Sequence, residues 1–223
     1  MWIWLSELGN SKWLLPAAVL LIVLSGISGT LPWRTATRWA IAVGVTSLIV
    51  LCSKIAFMGW GIGSAALDFT GFSGHAAMSA CIYPPLAALL GTGRHVSRRW
   101  LVIAGLALAA AIAYSRLPLR AHSPSEVIAG FLLGGLAAAW PLSHWPARAA
   151  ALPAWKWLVP AVLALGIQTL LPPTASTHQL VIALVKSVSG RDETYSRGWL
   201  HRRAARGEEK PTSIAVQQET KND

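Results

Sequence analysis

The sequence predicts an all-α integral membrane protein, a bundle of six transmembrane helices, and three observations favour this fold class. More than half of the residues are apolar (54%) and the mean hydropathy is +0.49, a composition typical of chains that cross a bilayer. The apolar residues form long segments separated by short polar turns. Tryptophans lie near the ends of these segments, where indole rings prefer the headgroup layer of a membrane.

Six apolar segments approach or reach the roughly 20 residues that a helix needs to span a bilayer. They cover residues 13–33, 39–60, 74–90, 100–116, 123–141 and 155–172. The third and fourth are short, but each ends beside a candidate site, where a helix can begin inside protein instead of lipid. Pro84-Pro85 in the third segment predicts a kink or a break. We expect residues 1–173 to form one six-helix domain.

The two C-terminal stretches differ in composition from the six-helix domain. Within residues 174–190, an apolar run is too short to span a membrane and predicts an amphipathic helix at its interface. Residues 191–223 are polar with mixed charge, which predicts a disordered tail. At the other end, the first apolar segment is similar to a signal peptide. Glu7 and the length of the run favour a retained helix.

The net charge of +10 does not predict nucleic-acid binding, because the cations are spread over the loops between apolar segments. Three loops on one side contain no acidic residue, and their charged residues are all cations: Arg34, Arg38, Arg94, Arg98, Arg99, Arg148 and Lys156. Cytoplasmic loops are enriched in Lys and Arg, so the opposite ends of the helices are predicted to be extracytoplasmic. The arginine-containing tail then also lies outside, against this rule. We expect a multi-pass protein of the bacterial inner (plasma) membrane.

Two acidic residues, Asp68 and Glu126, are the only ones between Glu7 and residue 190. Ionisable groups in an apolar body cost free energy, so they indicate functional sites. Each acid lies within a few residues of a histidine. Asp68 precedes His75, and Glu126 follows His122 by four positions. The sequence therefore predicts two site segments at helix ends.

The second site segment runs from Ser115-Arg116 to Glu126 and includes Arg120 and His122. The two arginines are fixed cations suited to binding phosphate oxygens. Positions four apart share a face of a helix, so Glu126 can reach the imidazole of His122 if the helix has begun. Such a carboxylate keeps one ring nitrogen protonated and leaves the other free to attack an electrophile.

The first site segment, Ser73-Gly74-His75, opens the third apolar segment. Backbone N–H groups at a helix start bind anions, and Ser and Gly suit that position. His75 is a candidate proton donor to a leaving oxygen. Lys54, near the outer end of the second segment, can extend its side chain towards the helix ends that carry His75 and His122.

These residues resemble the signature of the type 2 phosphatidic acid phosphatase superfamily: Lys-x6-Arg-Pro, Pro-Ser-Gly-His and Ser-Arg-x5-His-x3-Asp. The resemblance covers Lys54 to about Gly135. It implies a site at the outer ends of the second to fifth helices. It also implies a metal-independent phosphatase that acts on a membrane lipid phosphate or diphosphate through a phosphohistidine intermediate. No cofactor and no metal are expected, since no His/Cys/carboxylate cluster has ligand spacing.

The resemblance also implies a role for each matching residue. His122 is the nucleophile, Glu126 orients it, and His75 protonates the leaving group. The residues implied to hold the phosphoryl oxygens are Lys54, Ser73, Gly74, Ser115 and Arg116.

Three positions depart from the signature. Gly61-Ile62 replaces Arg-Pro, so one phosphate ligand is missing, and Arg120 is a candidate replacement. Phe72 stands where the family has the proline of its second motif. Glu126 replaces aspartate and carries the same charge on a longer arm.

Several of these residues also have a structural interpretation. Ser123-Pro124-Ser125-Glu126 is a capping box, so Glu126 can instead serve backbone N–H groups. Asp68 either pairs with Lys54 or caps a turn. The following residues also suit purely structural roles at helix ends or the interface: Lys54, His75, Arg116 and Arg120. The remaining histidines are predicted to be solvated: His95, His144, His178 and His201.

Two alternative functions remain open at this point. One is a lipid phosphotransferase, which passes the phosphoryl group to a second lipid. The other is a non-catalytic membrane protein that binds anionic lipid head groups. The sequence does not choose among polyprenyl diphosphate, phosphatidylglycerol phosphate, phosphatidic acid and lipid A phosphate as the substrate, nor does it predict an oligomeric state.

Overall fold

The computed structural model describes residues 1–91, 96–146, 177–191 and 193–207, and these residues form eight helices and no strand. The helices are α1 (Trp2–Glu7), α2 (Ser11–Ile27), α3 (Trp33–Trp60), α4 (Gly74–Leu90), α5 (Arg98–Ser115), α6 (Pro124–Ser143), α7 (Thr177–Ser189) and α8 (Arg197–Ala205). An isolated antiparallel bridge joins Ser64 to Phe69 in the loop between α3 and α4. The predicted all-α fold class is confirmed for the part of the chain that the structure describes.

Three of the helices, α3, α5 and α6, are long and apolar enough to cross a membrane. α2 and α4 are also apolar, with 17 residues each. These five helices correspond to the first five predicted segments, whereas the sixth, 155–172, lies outside the described residues. Membrane-spanning capacity is therefore shown for three helices, and the six-span bundle remains a prediction.

α4 is the central helix of the bundle, because α2, α3, α5 and α6 all pack against it. α6 packs directly against the α4 backbone through two glycines. A Cβ atom added at Gly134 would lie 2.0 Å from the carbonyl oxygen of Ala77, and one at Gly130 would lie 2.7 Å from that of Ser73. Small residues at helix interfaces permit such close approach inside membranes. The backbone N–H of Ser73 also donates to the carbonyl oxygen of Glu126 at 3.1 Å. The first turns of α4 and α6 are thereby held side by side.

We expect Gly134→Ala to destabilise the protein by roughly 1–3 kcal/mol, because the added methyl group must force α6 away from the backbone of α4. Gly135→Ala is the matched control, since a Cβ there meets nothing within 4 Å. That variant should be neutral or stabilising by up to about 1 kcal/mol, from helix propensity alone. Thermal unfolding in detergent measures both. Equal unfolding midpoints for the two variants would contradict the close packing of α4 and α6.

Of the kink or break predicted at Pro84-Pro85, the break does not occur, and α4 runs through both prolines as one helix. Both prolines are buried. The backbone of α5 approaches them at Gly105, where an added Cβ would lie 2.7 Å from the carbonyl oxygen of Tyr83. A proline inside a helix costs free energy because it lacks a backbone N–H donor. Close packing of α4 against α5 offsets this cost.

Both terminal parts of the chain lie at the end of the bundle where α4 and α6 begin. α1 is held there by Tyr83, whose hydroxyl donates to the Leu8 carbonyl at 2.7 Å. α7 forms where an amphipathic helix is predicted, and its Val181 and Val185 pack against Phe57 of α3.

The predicted disordered tail, 191–223, is corrected for the residues that form α8. Ser196 caps this helix by accepting a hydrogen bond from the backbone of Trp199, and Leu200 is buried against Met58. The backbone N–H of Tyr195 donates to the Met58 carbonyl at 2.9 Å. A few apolar and aromatic residues within a polar stretch are enough to dock this segment on α3. The average composition of the stretch is polar, so it did not predict this docking. The boundaries of the three predicted regions otherwise remain predictions.

Candidate active site

A cavity of about 710 Å³ lies at the end of the bundle where α2 and α4 begin. Of the predicted residues, five line this cavity: Lys54, Gly74, His75, Arg116 and His122. They come from α3, the start of α4, the end of α5 and the turn before α6. Residues distant in sequence are thus collected around one space.

The side chains of His122 and Glu126 are in direct hydrogen-bond contact. His122 immediately precedes Ser123, the N-cap of α6, and its Nδ1 lies 2.7 Å from Oε2 of Glu126. The Glu126 side chain is fully buried (0%) and that of His122 is 16% exposed. An ionised carboxylate only accepts hydrogen bonds, so the proton lies on Nδ1 of a neutral imidazole. The other ring nitrogen, Nε2, then carries a free lone pair.

The capping box and the histidine contact are both present, and they are not alternatives. Ser123 Oγ accepts a hydrogen bond from the Glu126 backbone at 3.3 Å, and Glu126 Oε2 accepts one from the Ser123 backbone at 3.2 Å. The same oxygen also contacts His122. One carboxylate oxygen of Glu126 is therefore shared between the capping box and the imidazole of His122.

Two residues that the sequence did not indicate complete the surroundings of Glu126. Thr70 donates its backbone N–H to Oε1 at 2.7 Å and also donates its hydroxyl to that oxygen. Arg197, at the start of α8, donates Nη2 to Oε2 at 2.8 Å. A fully buried carboxylate needs such partners, because its desolvation is costly without them.

Burial lowers the pKa of His122 from its ordinary value, and the charge of Glu126 offsets this only in part. The cations Lys54 and Arg116 act in the same direction as burial. Because the pKa is lowered, the imidazole is neutral at neutral pH. A neutral imidazole with a free Nε2 can act as a nucleophile or as a general base.

His75 and Gly74 also line the cavity. They are the first two residues of α4. Ser73, the N-cap, is fully buried and does not line it. Its backbone N–H is used by Glu126, and its hydroxyl has no hydrogen-bond partner among the described residues.

The predicted cation Arg116 lines the cavity from the C-cap of α5. It donates Nη1 to the hydroxyl of Ser6 in α1, and its Nε has no hydrogen-bond partner within the described ranges. α1 therefore holds one end of the guanidinium.

Two predicted phosphate ligands lie elsewhere. Ser115 is fully buried, and its hydroxyl donates to the Ile112 carbonyl at 2.6 Å instead of facing the cavity. Arg120 is exposed, has a positive φ of 51° and does not line the cavity. The turn after α5 directs Arg120 to the surface, so the structure does not support it as the replacement for the missing arginine.

The cavity lining also includes residues that the sequence did not indicate as part of the site, among them Lys12, Thr70 and Arg197. Lys12 lies in the first turn of α2, where the side chain of Asn10 caps the helix. That asparagine cap was a usable signal for a helix start. Thr70 and Arg197 carry no local signal, because their contacts with Glu126 span 56 and 71 positions.

Asp68 pairs with the C-terminal segment instead of with Lys54. Its carboxylate contacts Nη1 of Arg197 at 2.6 Å and Nε2 of His201 at 2.7 Å. Although burial opposes the change, hydrogen bonds from Arg197 and His201 lower the pKa of Asp68. His201, predicted to be solvated, is thus half-exposed and engaged. His144 is exposed, while His95 and the side chain of His178 lie outside the described residues.

The lining of the cavity suits an anion. No acidic residue among the described ones lines it. Four cations do: Lys12, Lys54, Arg116 and Arg197. The described residues contain no group of three or more His, Cys, Asp or Glu that could hold a metal ion. A neutral histidine beside several fixed cations can attack a phosphorus atom while its negative oxygens are held.

Comparisons with known proteins agree with this geometry. The sequence profile of the PAP2 superfamily matches residues 61–150, which include His75, Arg116 and His122. A protein described as an uncharacterized 22.5 kDa protein in the cps region of Klebsiella pneumoniae is 38% identical over 210 residues. That alignment covers 91% of this chain and 99% of the relative. No solved structure matches the chain significantly.

Proposed function

This chain belongs to the PAP2 superfamily, the type 2 phosphatidic acid phosphatases, and on that premise we propose that it is a membrane phosphatase acting on a lipid phosphate or diphosphate. Superfamily membership itself suggests phosphatase activity. The observation that carries the proposal is the 2.7 Å contact between His122 Nδ1 and Glu126, beside a cavity lined by cations.

In the proposed reaction, Nε2 of His122 attacks the phosphorus atom, and an N–P bond forms as the bond to the leaving oxygen breaks. His75, in its protonated form, gives a proton to that oxygen and becomes neutral. Water then attacks the phosphohistidine, His75 takes a proton from the water, and inorganic phosphate leaves with His122 restored. Glu126 stabilises the positive charge that develops on the attacking imidazole.

The charge on the transferred group is held by this chain's own cations. Lys12, Lys54 and Arg116 line the cavity, and the first N–H groups of α4 open onto it at Gly74. Phosphoryl transfer depends mainly on positioning and on stabilising charge on the equatorial oxygens. Fixed cations and a helix N-terminus supply that stabilisation, so we propose a metal-independent reaction.

A lipid substrate follows from the position of the cavity at the ends of helices that are able to span a membrane. The head group enters the cavity while the acyl or prenyl tail stays in the bilayer. The cation-rich loops lie at the other ends of these helices, which favours an extracytoplasmic active site in the inner membrane. The six-helix domain of residues 1–173 and the interfacial position of α7 belong to the same proposal.

The test measures inorganic phosphate released by the purified protein from a panel of lipid phosphates and diphosphates in detergent micelles. We expect release from at least one of them, without added metal and in the presence of a chelator. Transfer of phosphoryl to an added lipid acceptor, with no release to water, would make the protein a phosphotransferase. Lipid binding with neither reaction would make it a non-catalytic head-group binder. Either result would overturn the proposed hydrolysis.

A further inference from the structure

The C-terminal segment 193–207 is docked against the site by contacts that are independent of any charge. Leu200 is buried with Phe57 and Met58, and the Tyr195 backbone bonds to the Met58 carbonyl. The Trp199 ring lies over Gly61, where an added Cβ would be 2.7 Å from its Cη2 atom. These contacts bring the start of α8 to the cavity.

The position that Trp199 covers is the one where the family signature has an arginine. Gly61 also has a positive φ of 69°, a backbone conformation that disfavours any side chain. An arginine at this position would collide with Trp199 and strain the backbone. The chain instead presents Arg197, two residues before Trp199, at the cavity wall.

Arg197 bridges both internal acids through its guanidinium group. Nη2 donates to Glu126 Oε2 at 2.8 Å, and Nη1 contacts Asp68 Oδ2 at 2.6 Å. Nη1 also donates to the Asp68 carbonyl at 2.9 Å. The planar fork of arginine matches two such acceptors at once, which a lysine cannot reproduce. Because His201 contacts the second oxygen of Asp68, α8 holds that acid at two points.

We propose that Arg197 is a positioning residue for His122, acting through Glu126, and that Asp68 and His201 hold Arg197 in place. The inference rests on the proposed function, in which His122 is the nucleophile. The Glu126 oxygen that Arg197 contacts is the one that accepts from Nδ1 of His122. A carboxylate fixed on both sides cannot rotate away, so the imidazole keeps its proton on Nδ1 and presents Nε2 to the substrate.

Arg197 lies outside the part of the chain that the superfamily profile matches, residues 61–150. The proposal therefore assigns to the C-terminal segment a part of the site that the signature does not contain. It also assigns a role to Asp68, whose carboxylate holds the guanidinium of Arg197.

The test compares Arg197→Ala, Arg197→Lys and the control Arg202→Ala, which removes the same charge from an exposed position of α8. We expect Arg197→Ala to lower kcat about 10- to 100-fold with little change in KM, the size of loss that follows removal of groups orienting metal-bound histidines. Arg197→Lys should recover part of that loss, and Arg202→Ala should match wild type. A rise in KM alone would make Arg197 a substrate ligand and overturn the proposal.

The role of Asp68 is tested by combining substitutions. Asp68→Asn should lower kcat in the same direction as Arg197→Ala and by a smaller factor. If Asp68 acts through Arg197, adding Asp68→Asn to Arg197→Ala produces no further loss. Losses that multiply in the double variant would overturn the claim that Asp68 holds Arg197.

A measurement without substrate separates this inference from the proposed function. ¹⁵N NMR of the histidine rings in micelles, with His122 identified by its loss in His122→Ala, reports which ring nitrogen carries the proton. We expect a single Nδ1–H form in wild type and a mixture of tautomers in Arg197→Ala. An unchanged tautomer would overturn the positioning role. Wild type without phosphatase activity would overturn the proposed function alone.

Discussion

His122→Ala is expected to lower phosphate release by roughly 10³-fold or more, because the variant lacks the nitrogen that would form the bond to phosphorus. Lipid binding should persist, since the cations of the cavity remain. The variant should also form no phosphoenzyme when it is mixed with labelled substrate and quenched in alkali, in which phosphohistidine is stable.

The control for this substitution is His144→Ala. His144 is exposed at the C-cap of α6, whereas His122 precedes the N-cap of the same helix. The same side chain is therefore removed from opposite ends of one helix. Full activity in His144→Ala with loss in His122→Ala identifies the nucleophile. Equal release by wild type and His122→Ala would eliminate the phosphohistidine intermediate from the mechanism.

The local parts of the site were predictable from sequence because their spacing follows the helix period. His122 and Glu126 are four positions apart, and the predicted contact appears at 2.7 Å. Ser123 and Glu126 form the predicted capping box. Helices α2 to α6 follow apolar segments for a similar reason, since burial of apolar side chains depends on composition over many consecutive residues.

The remaining parts depend on contacts between distant positions, which leave no periodic signal. Arg197 is 71 positions from Glu126, and its stretch of sequence has a polar composition that predicts disorder. The position of Arg120 outside the cavity lining has a different reason. Its side-chain direction is set by a left-handed backbone conformation in the turn after α5, which residue type and spacing do not specify.

Glu126→Gln is expected to lower kcat by roughly 10²- to 10⁴-fold, a range that includes the loss on amide substitution of the acid behind a catalytic histidine. The amide has only one acceptor oxygen, while the carboxylate uses both. Thr70 donates twice to Oε1, and Oε2 contacts His122, Ser123 and Arg197. One set of donors must then face an NH₂ group. If that set includes His122, the imidazole takes the tautomer with its proton on Nε2, which cannot attack.

Two further substitutions distinguish orientation of His122 from helix capping. Glu126→Asp restores the acid of the family signature and should retain far more activity than Glu126→Gln, because its charge still selects the Nδ1–H tautomer. Ser123→Ala removes the hydroxyl of the capping box and should cost about 1 kcal/mol of stability. Its effect on kcat should be small beside that of Glu126→Gln, because the contact between Glu126 and His122 remains. Comparable activity losses in Ser123→Ala and Glu126→Gln would mean that Glu126 serves the helix start and not the imidazole.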